Sequence, residues 1–359
     1  MYLASNFFVS MAQNTTIKDI ARALGISKST VSRALADRFD VKPETKKAVI
    51  EMAEKMHYRP NPFAQNLIKR RTKIIGVVVP EFINSFFARI IIQIQQVFER
   101  EGFHVLITQC NESAEAERRN LQLLEESMVE GILISVTEKG RNTDYYKELI
   151  GSGIPLVFFN RAASDVAASR VVIDDYKWAF FAVEHLINIR REMGQPMPRI
   201  MHFQGPSEID LSGLRYRGYA DALRKHGLPV DSSLVIRCES ITREEGFRLM
   251  NRCIVQGMVP DALFGFNDQL AIGAMKALKR KGFHIPQEVS VMGFTESQSA
   301  LVTEPMLSSV AQPLDKMGET AARLLLEKIQ DPASENRTVV LEGLLNVRGS
   351  SDPKMLDGE

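Results

Sequence analysis

Cysteine, tryptophan and long apolar runs are all scarce in this chain of 359 residues, which has 3 cysteines and 1 tryptophan. Cys110, Cys238 and Cys253 are widely separated and have no CxxC spacing, which argues against a disulfide framework and a cysteine zinc site. Idle thiols in a reducing compartment are the simpler reading. No apolar run approaches the roughly 20 residues needed to span a bilayer, and the start MYLASNFFVSMAQN has neither a basic n-region nor a long apolar h-region. The expected location is therefore cytoplasmic, without membrane contact. Residues 1–14 match no domain pattern and Met11 offers a second start, so they are read as a disordered extension or a mis-assigned beginning. Catalytic signatures are missing too: no GxSxG, HExxH, Walker loop or GxGxxG stands in the strand-to-helix setting each requires. The carboxylate pairs Asp174/Asp175, Glu126/Glu130 and Glu244/Glu245 are commonplace on turns and helices. No catalytic residue, cofactor or metal ligand is assigned.

What is present is unevenly spread. Between Thr15 and Lys73 stand 14 Lys/Arg against 6 Asp/Glu, a local charge of +8, which leaves −7 on the remainder under a net charge of +1. A basic head on an acidic body fits nucleic acid better than a membrane, because no basic helix with a wide apolar face accompanies it. The same segment reads as three helices. In TTIKDIARALG, Ile17, Ile20, Ala21 and Leu24 fall at i, i+3, i+4 and i+7, Thr16 and Asp19 form a capping-box-like pair, and Gly25 is the stop. Ser27 can cap a second helix with Val31, Ala34 and Leu35 facing inward and Lys28, Ser29, Ser32 and Arg33 on the opposite face. PETKKAVIEMAEKMHY supplies a third, with Pro43 in its first turn. Two short helices joined through a glycine turn, then a supporting helix, is the helix-turn-helix layout, whose second helix enters the major groove.

The run TIKDIARALGISKSTVSRAL, followed by PETKKAVIEMAEKMHYRPNPFAQNL, resembles nearly position by position the head of the LacI family (lactose-repressor and purine-repressor type) of bacterial transcription regulators. The resemblance implies that Lys28, Ser29 and Arg33 read base edges and that Thr30, Ser32 and Asn61 hold phosphates, with Thr16 and Ser27 beside them at the helix starts. The chemistry agrees: Arg and Lys offer donors to guanine O6/N7, and hydroxyls at a helix N-terminus suit phosphate oxygens. Lys42 stands where Ser is expected before Pro-Glu-Thr, so the third helix should be less well capped. For residues 61–72 the resemblance implies a hinge helix that pairs with its twin in a dimer and wedges the minor groove, Ala64 and Leu67 matching that motif. A helix of under two turns needs such a partner to persist.

From Lys73 on, apolar runs such as KIIGVVV, FHVLITQ, GILIS, PLVFFN and RVVID alternate with helical stretches, and RIMHF, SLVIR, DALFGF and VSVMGF form a second series. Such runs between helices imply parallel sheets covered on both faces. The order and landmarks resemble the family's effector domain, shared with periplasmic sugar-binding proteins, and the resemblance implies an N-terminal all-α helix-turn-helix DNA-binding head (15–60), a hinge (61–72) and an α/β two-lobed, periplasmic-binding-protein-like effector domain of two doubly wound parallel sheets (73–350), ending in a polar tail (351–359). Crossovers are placed near Asp174, Pro305 and Ser334, giving lobe 1 as 73–173 plus 306–333 and lobe 2 as 174–305 plus 334–350.

Ligands in such folds bind where strand carboxyl ends converge. The loops there offer Asn84, Ser85, Phe86 and Phe87, then Asn160 and Arg161, then Asp174; Arg215 matches the family's recurrent ligand-binding arginine, and Asn267 and Asp268 follow DALFGF. Structural roles stay open beside these: Asp268 and Ser212 can cap helices, and Asp174 can hold a crossover. Where many relatives read Gly-Phe/Tyr-Asp, this chain has Gly293-Phe294-Thr295-Glu296, so an acceptor carboxylate is lost or displaced and Thr295 takes its place. Arg215 and Arg161 together point to an anionic ligand such as a uronate or sugar phosphate, with a neutral sugar on comparable terms and a nucleobase as the alternative. The partners expected are double-stranded operator DNA, a small-molecule effector of sugar or sugar-acid type, and a second copy of the chain as homodimer. A solute-binding protein, the competing class, would have the lobes but not the basic head.

Overall fold

Helix α1 (Ile17–Leu24) begins where the Asp19 carboxylate accepts the backbone N–H of Thr16 at 3.0 Å and its hydroxyl at 2.6 Å. It stops at Gly25, whose φ of +64° is the left-handed conformation that glycine adopts without cost. Helix α2 (Lys28–Leu35) is capped by Ser27 Oγ, which accepts the Thr30 N–H at 3.1 Å. Helix α3 (Pro43–Lys55) has its proline in the first turn, and Lys42 gives it no side-chain cap. Ile20, Val31, Ala34, Val41 and Val49 close a small core between the three. The computed structural model describes residues 15–58, 72–82 and 85–358, and the chain divides into two units, Met1–Thr72 and Lys73–Glu359. The expected extension at 1–14 and most of the expected hinge lie outside the described residues.

The second unit holds two sheets. The first contains β1 (Ile74–Val79), β2 (His104–Gln109), β3 (Gly131–Ile134), β4 (Leu156–Phe159), β5 (Ser169–Ile173) and β11 (Thr338–Leu341), in the order β11-β5-β4-β3-β1-β2 and parallel throughout. Helices α4 (Ser85–Arg100), α5 (Ala114–Glu126), α6 (Thr143–Gly151) and α11 (Leu314–Gln330) accompany it. The second sheet contains β6 (Ile200–Gln204), β7 (Val235–Arg237), β8 (Ala262–Gly265), β9 (Ser290–Thr295), β10 (Ser308–Ala311) and β12 (Leu344–Asn346), in the order β12-β10-β9-β8-β6-β7, with β12 alone antiparallel. Its helices are α7 (Asp175–Glu192), α8 (Asp210–Lys225), α9 (Arg243–Val255) and α10 (Asp268–Arg280). The central strands are buried on both faces, as their unbroken apolar runs require.

The chain passes between lobes three times, at 173–174, 312–313 and 342–343. The last two correct the expected crossovers near Pro305 and Ser334: β10 pairs with β9 in lobe 2, so residues 306–311 belong there, and β11 pairs with β5, so 334–341 belong to lobe 1. β10 (SSVA) is half serine and β12 (LLN) has only three residues, so neither gives the apolar run by which the other strands are read, whereas β11 (TVVL) is as apolar as RVVID and differs in its exposed edge position. Ser351 is buried, its Oγ 2.7 Å from Ser308 Oγ and 3.1 Å from His185 Nε2, and Lys354 pairs with Glu192 at 2.8 Å, so the tail docks on lobe 2.

Candidate functional site

Two sites were expected, and the first lies on α2. The hydroxyls of Ser27, Ser29 and Thr30 form one network at its N-terminus, with Ser27 Oγ 2.7 Å from Ser29 Oγ and 2.8 Å from Thr30 Oγ1. Lys28 is exposed beside them and Ser32 is half-buried one turn further on. The Arg33 guanidinium bonds Ser29 O through Nε at 3.3 Å and pairs with Asp40 at 3.0 Å. Thr16 is spent on capping α1. The face therefore offers hydroxyls and a helix N-terminus suited to phosphate, and cations suited to base edges. Asn61, Ala64 and Leu67 lie outside the described residues.

The second site is the cleft between lobes. Its inner part is lined by Phe86, Phe87, Asn160 and Arg161 from lobe 1, by Leu211, Arg215, Phe266, Asn267, Gln269, Thr295 and Ser297 from lobe 2, and by Gln312 at the second crossover. Toward solvent it widens into a cavity of about 820 Å³ reached by Ser85, Glu112, Glu138, Glu208 and Glu244. Phe86 and Phe87 meet edge to face at 5.0 Å, giving a rigid apolar wall. At the rim, Lys139 of lobe 1 pairs with Asp210 of lobe 2 at 2.5 Å, and its N–H donates to Glu208 O at 2.8 Å.

Both arginines already hold carboxylates. Arg161 makes a bidentate pair with Glu112 at 2.7 and 3.0 Å. Arg215 is fully buried: its Nε donates to Asp175 Oδ1 at 2.8 Å, its Nη1 to Phe266 O, and the guanidinium lies 3.7 Å from the centre of the Phe294 ring. Burial pushes the Asp175 carboxyl up, and the Arg215 charge opposes this. Neither Nε2 nor Oε1 of Gln312, a buried residue, has a hydrogen-bond partner among the described residues. A buried carboxamide without partners costs free energy unless something in the cleft bonds it.

The structure thus brings Ser85, Phe86, Phe87, Asn160, Arg161, Arg215, Asn267 and Thr295 to the cleft. Asn84 lies outside the described residues. Asp174 is exposed and caps α7, accepting the Lys177 N–H at 2.9 Å; it is Asp175 that turns inward. Asp268 is a second correction. It does not cap α10, because Asn267 does so through Leu270 N–H at 3.0 Å. Instead its buried carboxylate accepts the Ser309 hydroxyl at 2.6 Å and the Ser297 N–H, and burial pushes it up to about 6 against those bonds. Gly293 is required beneath it, since a Cβ there would collide with Asp268 Oδ1. Ser212 likewise serves the backbone, donating to Gly205 O at 2.6 Å. Thr295 has a φ of +103°, a strained conformation for a β-branched residue, and the displaced acid Glu296 turns away to Arg348 and Asn346.

Asp175 stands beside Asp174 in the loop after VVID, and a usable signal favours it over its neighbour: it shares a helical face with Ala179, Ala182, Val183 and Leu186, all buried. Glu112 and Gln312 had none, one lying in a turn at φ +53° and the other following an unread strand.

Residues 16–61 match the family described as bacterial regulatory proteins, lacI family, and residues 72–343 match that described as periplasmic binding proteins and sugar binding domain of LacI family. The chain is 30% identical over 344 residues to the HTH-type transcriptional repressor CytR of Escherichia coli (strain K12), covering 94% of this chain and 96% of that one. It is 28% identical over 342 residues to catabolite control protein A of Priestia megaterium, covering 94% and 99%. Among solved structures, a complex of the transcriptional regulator CelR with cellobiose matches with 27% identity, 94% and 100% coverage and a TM-score of 0.69. The lac repressor dimer bound to operator and the anti-inducer ONPF shares the fold, with 22% identity, 95% and 100% coverage and a TM-score of 0.78.

Proposed function

The chain belongs to the LacI family of DNA-binding transcription regulators, and from that premise we propose that it is a cytoplasmic repressor whose operator affinity responds to an uncharged, polyhydroxylated ligand of the sugar class held between its lobes. It binds a pseudo-palindromic operator as a homodimer, with α2 in the major groove. The outer side of α4, where Ile92 is half exposed, is a candidate part of the dimer surface.

The observation that carries the choice of ligand is that each of the two cleft arginines already pairs with a carboxylate. An anionic ligand would meet arginines whose charge Glu112 and Asp175 already offset, and it would approach past Glu138, Glu208 and Glu244. A hydroxyl meets no such opposition, and Gln312 offers it both a donor and an acceptor. The aromatic wall of Phe86 and Phe87 suits the apolar face of a sugar ring. The similar CelR structure is a complex with cellobiose, which agrees with this class. A neutral ligand thus displaces the uronate or sugar phosphate that the two arginines suggest when only the sequence is considered.

Regulation follows from linkage: a ligand with different affinities for two lobe arrangements shifts their populations, and operator affinity follows by the same factor. A thermal-shift screen of the full-length protein against neutral sugars, uronates, sugar phosphates and nucleobases tests the ligand class. A ligand at 100 times its Kd stabilises by about 2.7 kcal/mol. Stabilisation by neutral sugars supports the proposal; stabilisation confined to anionic sugars or nucleobases overturns it.

A further inference from the structure

Arg33 is held from outside the recognition helix. Its Nη1 lies 3.0 Å from Asp40 Oδ2, while its Nε bonds Ser29 O at 3.3 Å. Asp40 sits in the turn between α2 and α3, and that turn is clamped on both sides. Val41 is buried in the core of the head, and Asp37 is tied to Lys46 of α3 at 2.5 Å. The carboxylate is therefore presented at a fixed place.

An acid on a face that meets a polyphosphate weakens binding to every sequence alike, because it repels the backbone charge. Its presence beside Arg33 needs an offsetting gain, and orientation supplies one. A free arginine loses much rotamer freedom when it reads a base, whereas a guanidinium already fixed at two nitrogens loses less. The two contacts use Nε and Nη1, and among the described residues Nη2 makes no hydrogen bond, which leaves the end of the fork for a base edge such as guanine O6/N7.

We propose that Asp40 is a specificity-determining positioning residue, holding Arg33 in its base-reading orientation and trading general DNA affinity for discrimination. This rests on the reading of α2 as the recognition helix. The pair is about half exposed, with side-chain exposures of 51% and 43%, so Asp40→Asn should fold as the parent does.

The test uses the full-length protein and a duplex that it selects from a random-sequence pool, together with every single-base-pair variant of that duplex and a scrambled control. Arg33→Ala should lose discrimination at one base pair per half-site by about tenfold or more. Asp40→Asn should lose about three- to tenfold at the same base pair while binding the scrambled duplex as tightly as the parent or more so. Asp40→Glu should recover part of the loss, and Asp40→Asn should add nothing in the Arg33→Ala background. Discrimination unchanged in Asp40→Asn overturns the proposal, as does tighter binding to the selected site with discrimination kept, which would make Asp40 a competitor for Arg33. If Arg33→Ala leaves discrimination intact at every position, or no sequence is selected, the recognition reading itself fails.

Discussion

Arg161 on lobe 1 and Arg215 on lobe 2 face the same inner cleft, each bound to a carboxylate of its own lobe, yet their surroundings differ. The lobe 2 pair is enclosed, with both side chains 2% exposed and the guanidinium set against Phe266 and Phe294. The lobe 1 pair reaches solvent through Glu112, whose side chain is 31% exposed at the cleft mouth. One wall is thus part of a lobe's core, and the other can exchange its partners. If the cleft takes the proposed ligand, adaptation to it is expected from the lobe 1 wall and from Gln312 at the crossover, with the enclosed lobe 2 wall as their reference.

The largest difference between the walls is expected at the buried pair. Arg215→Ala leaves the Asp175 carboxylate buried without its cation and should cost about 3–5 kcal/mol in chemical unfolding, whereas Glu112→Gln should cost about 1 kcal/mol. Equal losses would erase the distinction between the walls.

The next largest effect separates two titrating groups inside lobe 2. Asp268 is raised from 3.8 to about 6, so it binds a proton more readily when folded and its contribution to stability is lost as pH rises from about 4 to 6. His202 is lowered from 6.5 to about 4 by burial, with Nδ1 bonded to Phe264 O at 3.0 Å, so its contribution is lost as pH falls from about 6.5 to 4. Each shift corresponds to about 3 kcal/mol, and the two oppose each other across the same window. Unfolding free energies measured from pH 4 to 6.5 should fall more steeply on acidification in Asp268→Asn than in the parent and should rise on acidification in His202→Gln. Parallel profiles in all three proteins would contradict the assignment.

A smaller effect sharpens the view of the exchangeable side. Gln312→Ala removes a carboxamide without partners, so stability should change by under about 1 kcal/mol, while ligand affinity should drop about tenfold in calorimetric titration. The smallest change belongs to the rim. The Lys139 and Asp210 side chains are 63% and 39% exposed, and Lys139→Ala should alter unfolding by about 0.5 kcal/mol or less.

Much of the molecule was legible because periodicity and punctuation carried it. Ser27, Gly25, Pro43 and the Ile20/Val31/Val49 core follow from spacing alone, and the apolar strands declared both sheets. What escaped depended on distant partners. Short strands such as Ser308–Ala311 exist because β9 offers its edge, and no local pattern announces that edge. Within the site, residue type identified Arg161 and Arg215 but not their occupancy, since Glu112 is 49 residues and Asp175 40 residues away in sequence. The choice between an anionic and a neutral ligand turns on that occupancy: charge counted along a loop is not charge available in a cleft.

The most direct measurement is a titration of the selected duplex with full-length protein, with and without the neutral sugar that gives the largest thermal shift, on the parent chain and on Gln312→Ala. Duplex affinity in the parent should change about 5- to 150-fold on adding ligand, with the Gln312→Ala response displaced to about tenfold higher ligand. Duplex affinity indifferent to every neutral sugar, but shifted by a uronate or sugar phosphate, would contradict the proposed ligand class.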